Sequence, residues 1–455
     1  MQEKIGEMVR RVEADFADLR YEVKKVTRAS FNKQELLELG SDSTDGYVAR
    51  VLRNGGFASC TVTRPEDVEE AFRRACDAAD LVAQTAAEKV ELAPAPVVQD
   101  AVRLRLDQDP RGVSLHDKLE LTRKYNDVLL GQPGIASTNT AYSEVYRDKH
   151  YVSSEGSSIS EELITANIGG EAIARRLDGL VQNIRVSIGG ADGMGRLHDR
   201  EDTILERAGL ARELLDAEPL KAGKYTVVLN SSMTGVFTHE AFGHFSEADI
   251  IEKNPSLREK MSLGAELGSG LVTIVADSTL PGQVGFYRYD DEGVPVRPVT
   301  LMDNGVLVGR LHSRRTAAAF GEPVTGHSVA EDHRYAPIVR MGTIFVKPGG
   351  SSFEELLATV GDGLYLCDAK GGQTAGENFT FGAQYGYRIE NGKMGHMVRD
   401  INIMGNLFTT LSNIIAVGDD FELSERGGCG KGQMNIKSAH GGPHVVIRDM
   451  VVGGA

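Results

Sequence analysis

The residues best able to do chemistry stand in one run, MTGVFTHEAFGHFSEAD, where His239, Glu240 and His244 form an H-E-x-x-x-H pattern. Imidazole suits zinc, and a carboxylate beside a ligand can take a proton from water held at the ion. The familiar zinc pattern has one residue fewer, so that its histidines lie one helical turn apart. With the spacing found here, at about 100° per residue, the two side chains fall about 140° apart around a regular α-helix and cannot share an ion. A wider i→i+5 turn returns both to one face, and such bulges recur at functional sites. The spacing therefore predicts a non-α-helical step between Ala241 and His244, with Gly243 as the point where the helix relaxes or ends.

A catalytic zinc usually has three protein ligands and a water. Glu247, Asp249, Cys429, His440 and His444 are the candidates for the third. Glu247 can instead orient a ligand histidine from behind. Cys429 lies in ERGGCGKGQ, a polar glycine-rich loop where a buried structural thiol is out of place, and thiolate binds zinc strongly. On side-chain chemistry alone Cys429 and Glu247 stand level. His440 and His444, in SAHGGPH, are read as surface histidines beside a glycine turn, with oxyanion stabilisation as the sharper alternative. A Cys429–histidine nucleophile dyad would leave the H-E-x-x-x-H run unexplained. Asp290, Asp291 and Glu292 read as a solvated turn ending at Gly293, and Cys60, Cys76 and Cys367 as core residues. GGADGMG at 189–195 and GGCGKGQ both lack the Gly-Lys-Ser/Thr ending of a phosphate loop.

The elements that must position these groups read as α+β: two N-terminal helix/strand-meander units followed by a β-rich catalytic domain. The first unit spans 1–85, with an opening helix running to about Leu19, an Asn54-Gly55 hairpin and a helix opened by Pro65. Residues 86–113, with APAP at 93–96, read as a linker. A second unit spans 114–217. The β-rich part, 218–455, opens with the strand KYTVVLN, which leads into the metal run, and carries Asn304-Gly305 and Asn391-Gly392 hairpin signals.

The chain has 65 acidic and 50 basic residues, a net charge of −15, which disfavours nucleic acid and anionic membrane surfaces. No stretch of about 18 apolar residues is present and the N-terminus lacks an apolar signal core, so a cytoplasmic location with reduced thiols is expected.

Taken together, DFADLRYEV, HEAFGHFSEAD, YDDEGVPVRPVTLMDNGVLVGRL, GGQTAGENFTFGAQYGYRIENGKM, GGCGKGQ and the closing VVGG resemble the TldD/PmbA family, in its TldD-like, motif-bearing branch. The middle unit matches it least, and GHSVAEDHR at 326–334 departs from the Gly-Asn-Arg pattern of close relatives, which bears on substrate choice. The resemblance implies a metallopeptidase acting on peptides or unfolded segments. It implies one zinc per chain held by His239, His244 and Cys429, with Glu240 as general base. It further implies assembly with a homologue lacking the motif, or as a homodimer. The rival expectations are a peptide-binding scaffold subunit without turnover, which an intact Glu240 disfavours, and an amidase acting on a small molecule.

Overall fold

A computed structural model describes residues 2–454. The N-terminal part is built on one long hairpin. β1 (Phe16–Asn32) and β2 (Glu35–Arg53) run antiparallel, and β2 turns into β3 (Gly56–Val62) through Asn54-Gly55, both at positive φ. That is the turn an Asn-Gly pair favours, because its twist matches the flanking strands. The second unit supplies β5 (Ile135–Ser153), β6 (Ser158–Arg175) and β7 (Val181–Gly190). β5 pairs with β1, so both units share one seven-stranded sheet. The proline-rich segment between them adds β4 (Gln99–Val102), parallel to β6.

Helices cover one face of this sheet in two groups. α1 (Gln2–Arg10) and α2 (Val68–Thr85) bury Ile5, Val9, Phe72 and Ala75 against Leu19 and Val51. α3 (Leu115–Leu130) and α4 (Glu201–Glu213) bury Tyr125, Leu129 and Ile204 against Ile168 and Ile184. The opening helix stops at Arg10, short of the expected Leu19. From Phe16 the chain is a central strand with partners on both sides, and that pairing overrides the local helical spacing.

After the short strand β8 (Glu218–Pro219), the C-terminal part closes a barrel around β9 (Gly223–Leu229). Strand Gly363–Ala375 pairs with β9 on one side and with Asn378–Glu390 on the other, while Val445–Gly454 and Ile401–Asn406 complete the ring. Closure removes sheet edges. The Asn304-Gly305 and Asn391-Gly392 turns form hairpins as expected. A second, six-stranded sheet includes Ile274–Ala276, Thr343–Val346 and Ala439–Gly442. Between barrel and sheet lies the largest core, into which Phe237, Ala241, Phe242 and Phe245 of the metal run are packed. No helix among the described residues is long and apolar enough to cross a membrane.

Asp290, Asp291 and Glu292 do form a turn closed by Gly293, but it is buried, contrary to the solvated turn expected. It plugs the joint between the two halves. Asp290 accepts from the backbone N–H groups of Glu292, Val294 and Ser328. Asp291 lies 3.1 Å from Arg20, and Glu292 accepts from Arg50 at 2.9 Å. Cys60 and Cys76 are half-buried against the first helical core, Cys367 is buried in the barrel, and all four cysteines are free thiols.

Candidate metal centre

Strand β9 is held on both sides in the barrel and so fixes the start of the metal run. Asn230 ends it as an N-cap, accepting from the Met233 N–H, and α5 (Ser231–Phe237) follows. From Thr238 to Gly243 the helix widens to a π turn in which the His244 N–H donates to the His239 carbonyl, an i→i+5 bond. The widening brings the His239 and His244 rings to 5.1 Å between centroids, edge to face. Gly243 itself has φ −57°, ordinary helical backbone, so it is not there for conformational freedom. A Cβ at that position would overlap Met341 Sδ, and the glycine lets the helix approach the segment beneath it.

Cys429 arrives from a loop pinned by two backbone hydrogen bonds to Ile436. Its Sγ lies 3.4 Å from His244 Nε2, and ligand atoms of His239, His244 and Cys429 all lie within 4.8 Å of one another. Glu247 sits on the opposite side of the ring, with Oε2 3.3 Å from His244 Nδ1, and is fully buried. The two carboxylates of the run thus separate in position. Glu240 Oε2 is 3.8 Å from His244 Nε2, on the Cys429 side, and accepts from the Thr374 hydroxyl at 3.2 Å. Lys431 staples the cysteine loop down, reaching Glu247 at 3.0 Å, Asp249 at 2.8 Å and the Val339 carbonyl.

The remaining histidines part company. His440 lies beside His239, with ring centroids 5.7 Å apart and its Nδ1 buried without a partner. His444 is taken up elsewhere, bonded to Asp420 and to Tyr365 Oη and packed on Phe353. Neither is a plain surface residue. Arg340, Lys431 and Thr374 complete the surroundings and were not singled out from sequence; each lies some 90 or more residues from the run it serves. Lys431 stands in the GGCGKGQ motif itself, so its position two residues past a candidate ligand was the available signal.

Electrostatics separate the two candidate ligand histidines. Burial drives His239 well below its ordinary pKa, aided by the neighbouring His244, His440 and Arg340, so its imidazole is neutral. Burial opposes charge on His244 too, yet its hydrogen bonds to Cys429 and Glu247 outweigh this and push it up to about 10. Burial pushes the Cys429 thiol up, but His244 and Arg340 beside it bring the net shift below the usual value. Burial likewise raises Glu247, while Arg340, His244 and Lys431 hold it at about 2. Burial lowers His440 to about 4. Two imidazoles and a thiol poised as thiolate form a donor set that fits zinc. The buried, unpartnered His239 Nδ1 is a polar atom for which the protein alone supplies no bond.

Three family models match the chain in succession: PmbA/TldA metallopeptidase domain 1 over 17–79, the central domain over 108–216 and the C-terminal domain over 222–454. The chain belongs to the PmbA/TldD family. The middle unit, weakest in the sequence reading, is therefore matched along with the rest. Family relatives include a metalloprotease of Synechocystis sp., 36% identical over 97% of this chain and 95% of its own length. A zinc metalloprotease TldD homolog of Saccharolobus solfataricus is 30% identical, covering 97% of both chains. Among solved structures, TldE from Thermococcus kodakarensis superposes with a TM-score of 0.81 at 18% identity, covering 99% of this chain and 100% of that one. A Thermotoga maritima protein does so with a TM-score of 0.79 at 20% identity over 96% of each. These two establish the shared α+β fold.

Proposed function

We propose that this chain is a zinc-dependent peptidase that hydrolyses peptide bonds in peptides or unfolded segments, with one zinc held by His239, His244 and Cys429. The convergence of those three side chains, with Glu240 Oε2 3.8 Å from His244 Nε2, is the observation that carries the reading. Zinc in that place would polarise the scissile carbonyl and lower the pKa of an adjacent water. Glu240 takes the water's proton and passes it to the leaving amine, as a general base turned general acid. The Thr374 hydroxyl, bonded to both the Glu240 carbonyl and its Oε2, keeps the carboxylate aimed at the ligand group. Glu247 fixes the His244 ring from behind, a carboxylate–histidine arrangement common around zinc. His440, half-buried beside His239 with its Nδ1 out of solvent, is the candidate donor to the developing oxyanion; His444, tied to Asp420 and Tyr365, is not.

We also propose a paired assembly, with a homologue lacking the motif or with a second copy. Leu36, Leu37 and Leu39, exposed at the tip of the first hairpin, support it, and mass measurement in solution tests it. The hydrolysis test uses the purified chain alone and with such a homologue. Chelation should abolish cleavage of an unfolded peptide set and one equivalent of zinc should restore it. Glu240→Gln should keep zinc and slow cleavage by about 10²–10⁴-fold. A zinc-loaded native protein that leaves every peptide intact in both settings would favour the scaffold reading.

A further inference from the structure

The hairpin that presents Cys429 also forms part of a second wall. A cavity of about 620 Å³ lies between the N-terminal sheet and the β-rich half, and Ile436 and Lys437 line it. Cys429 and Ile436 face each other across a backbone bridge. Directly opposed residues in such a pair have Cα atoms about 5 Å apart, which places the Lys437 backbone about 6 Å from that of the proposed ligand cysteine. Cavity and metal centre are therefore neighbours through one short loop.

The charges lining the cavity do not balance. Arg147 and Lys149 are matched by Asp291, Glu22 and Glu161, and Arg103 by Glu162. Arg105, Arg288 and Lys437 have no carboxylate within ion-pair distance among the described residues, while on the acidic side only Asp100 lacks a cation, and it accepts from the Tyr289 hydroxyl. A protein of net charge −15 has thus left an excess of positive charge at this cavity. Lys437 is the telling member. Arg105 and Arg288 are exposed, whereas Lys437 is half-buried, and the charged groups that act on it are the cations Arg426 and Lys24. Burial, with those cations, lowers its pKa to about 8. An ammonium partly withdrawn from water without a counter-charge is costly to a fold, and such a group lining a cavity marks a candidate binding site.

We propose that this cavity is a carboxylate-binding subsite in which Lys437, with Arg288 and Arg105 nearer solvent, holds the C-terminal carboxylate or an acidic side chain of the peptide whose bond lies at the metal centre. The proposal rests on the peptidase reading for the identity of its ligand, but not for its test. Binding is measured by calorimetry on the zinc-loaded Glu240→Gln chain, which needs no turnover, using three alanine-based pentapeptides. One has a free C-terminus, one a C-terminal amide, and one an amide with aspartate as its last residue.

The free acid, the aspartyl amide or both should bind about tenfold more tightly than the plain amide, and which of them does so identifies the source of the carboxylate. The preference should vanish in Lys437→Met and survive in Lys437→Arg, and Lys437→Met should melt no lower than the parent. Equal binding of all three peptides, or a preference unchanged in Lys437→Met, overturns the subsite. Discrimination by a protein whose native form cleaves nothing would overturn the peptidase reading and leave the subsite standing.

Discussion

Glu247 and Cys429 show how one imidazole sorts its neighbours. The two ring nitrogens of His244 point in nearly opposite directions, and the structure gives Nε2 to Cys429 and Nδ1 to Glu247. Cys429 Sγ, on the first side, lies within 4.8 Å of a His239 ring nitrogen. Glu247→Gln should therefore keep the metal but lower its affinity by about 10–100-fold, the usual effect of losing a carboxylate behind a ligand histidine. Cys429→Ser, which removes a donor outright, should lose more. Competition with a chromophoric chelator ranks the two, and the reverse order would exchange their roles. Sequence left them level because ring orientation is not a property of spacing. It was likewise silent on Arg340, whose fully buried guanidinium lies 3.5 Å from Glu247 Oε1.

Among the elements, the π turn was legible because regular helical geometry makes two histidines five residues apart incompatible with one ion. The reason for Gly243 was not legible, since Met341 comes from a distant segment. Gly243→Ala should destabilise the fold by about 1–3 kcal/mol through overpacking, and Gly243→Ala with Met341→Ala should recover part of that loss. Thermal unfolding of both variants checks it; a single variant as stable as the parent would mean the helix has room to move. The three Asn-Gly hairpins were readable for a local reason, positive φ at successive residues. The end of the first helix was not, because β1 owes its form to partners on both sides rather than to its own sequence.

At the scale of the whole molecule, the two halves meet through buried ion pairs that no local pattern announces. Asp291 looked like part of a solvated turn, yet its partners Arg20 and Lys149 come from β1 and β5. Burial raises its carboxyl pKa, but Arg20, Lys149 and Arg147 outweigh this and hold it far below the usual range. A depressed carboxylate stabilises the fold above its unfolded value of about 3.9 and loses that contribution as pH falls toward the folded value. Asp291→Asn should therefore cost about 3–5 kcal/mol near neutrality, by stranding buried cations, with the gap to the parent narrowing below about pH 4. Denaturant unfolding across pH 3–7 reads this, and a gap independent of pH would refute it.

The proposed metal centre is also a property of the whole C-terminal half, since Cys429 lies 185 residues beyond His244 and meets it only when the barrel and second sheet have closed around the run. X-ray absorption at the zinc edge of the loaded protein tests that assembly most directly. One sulfur at about 2.3 Å and two nitrogens at about 2.0–2.1 Å are expected, with the sulfur lost in Cys429→Ser. A shell of nitrogen and oxygen alone in the native protein, unchanged in that variant, would contradict it.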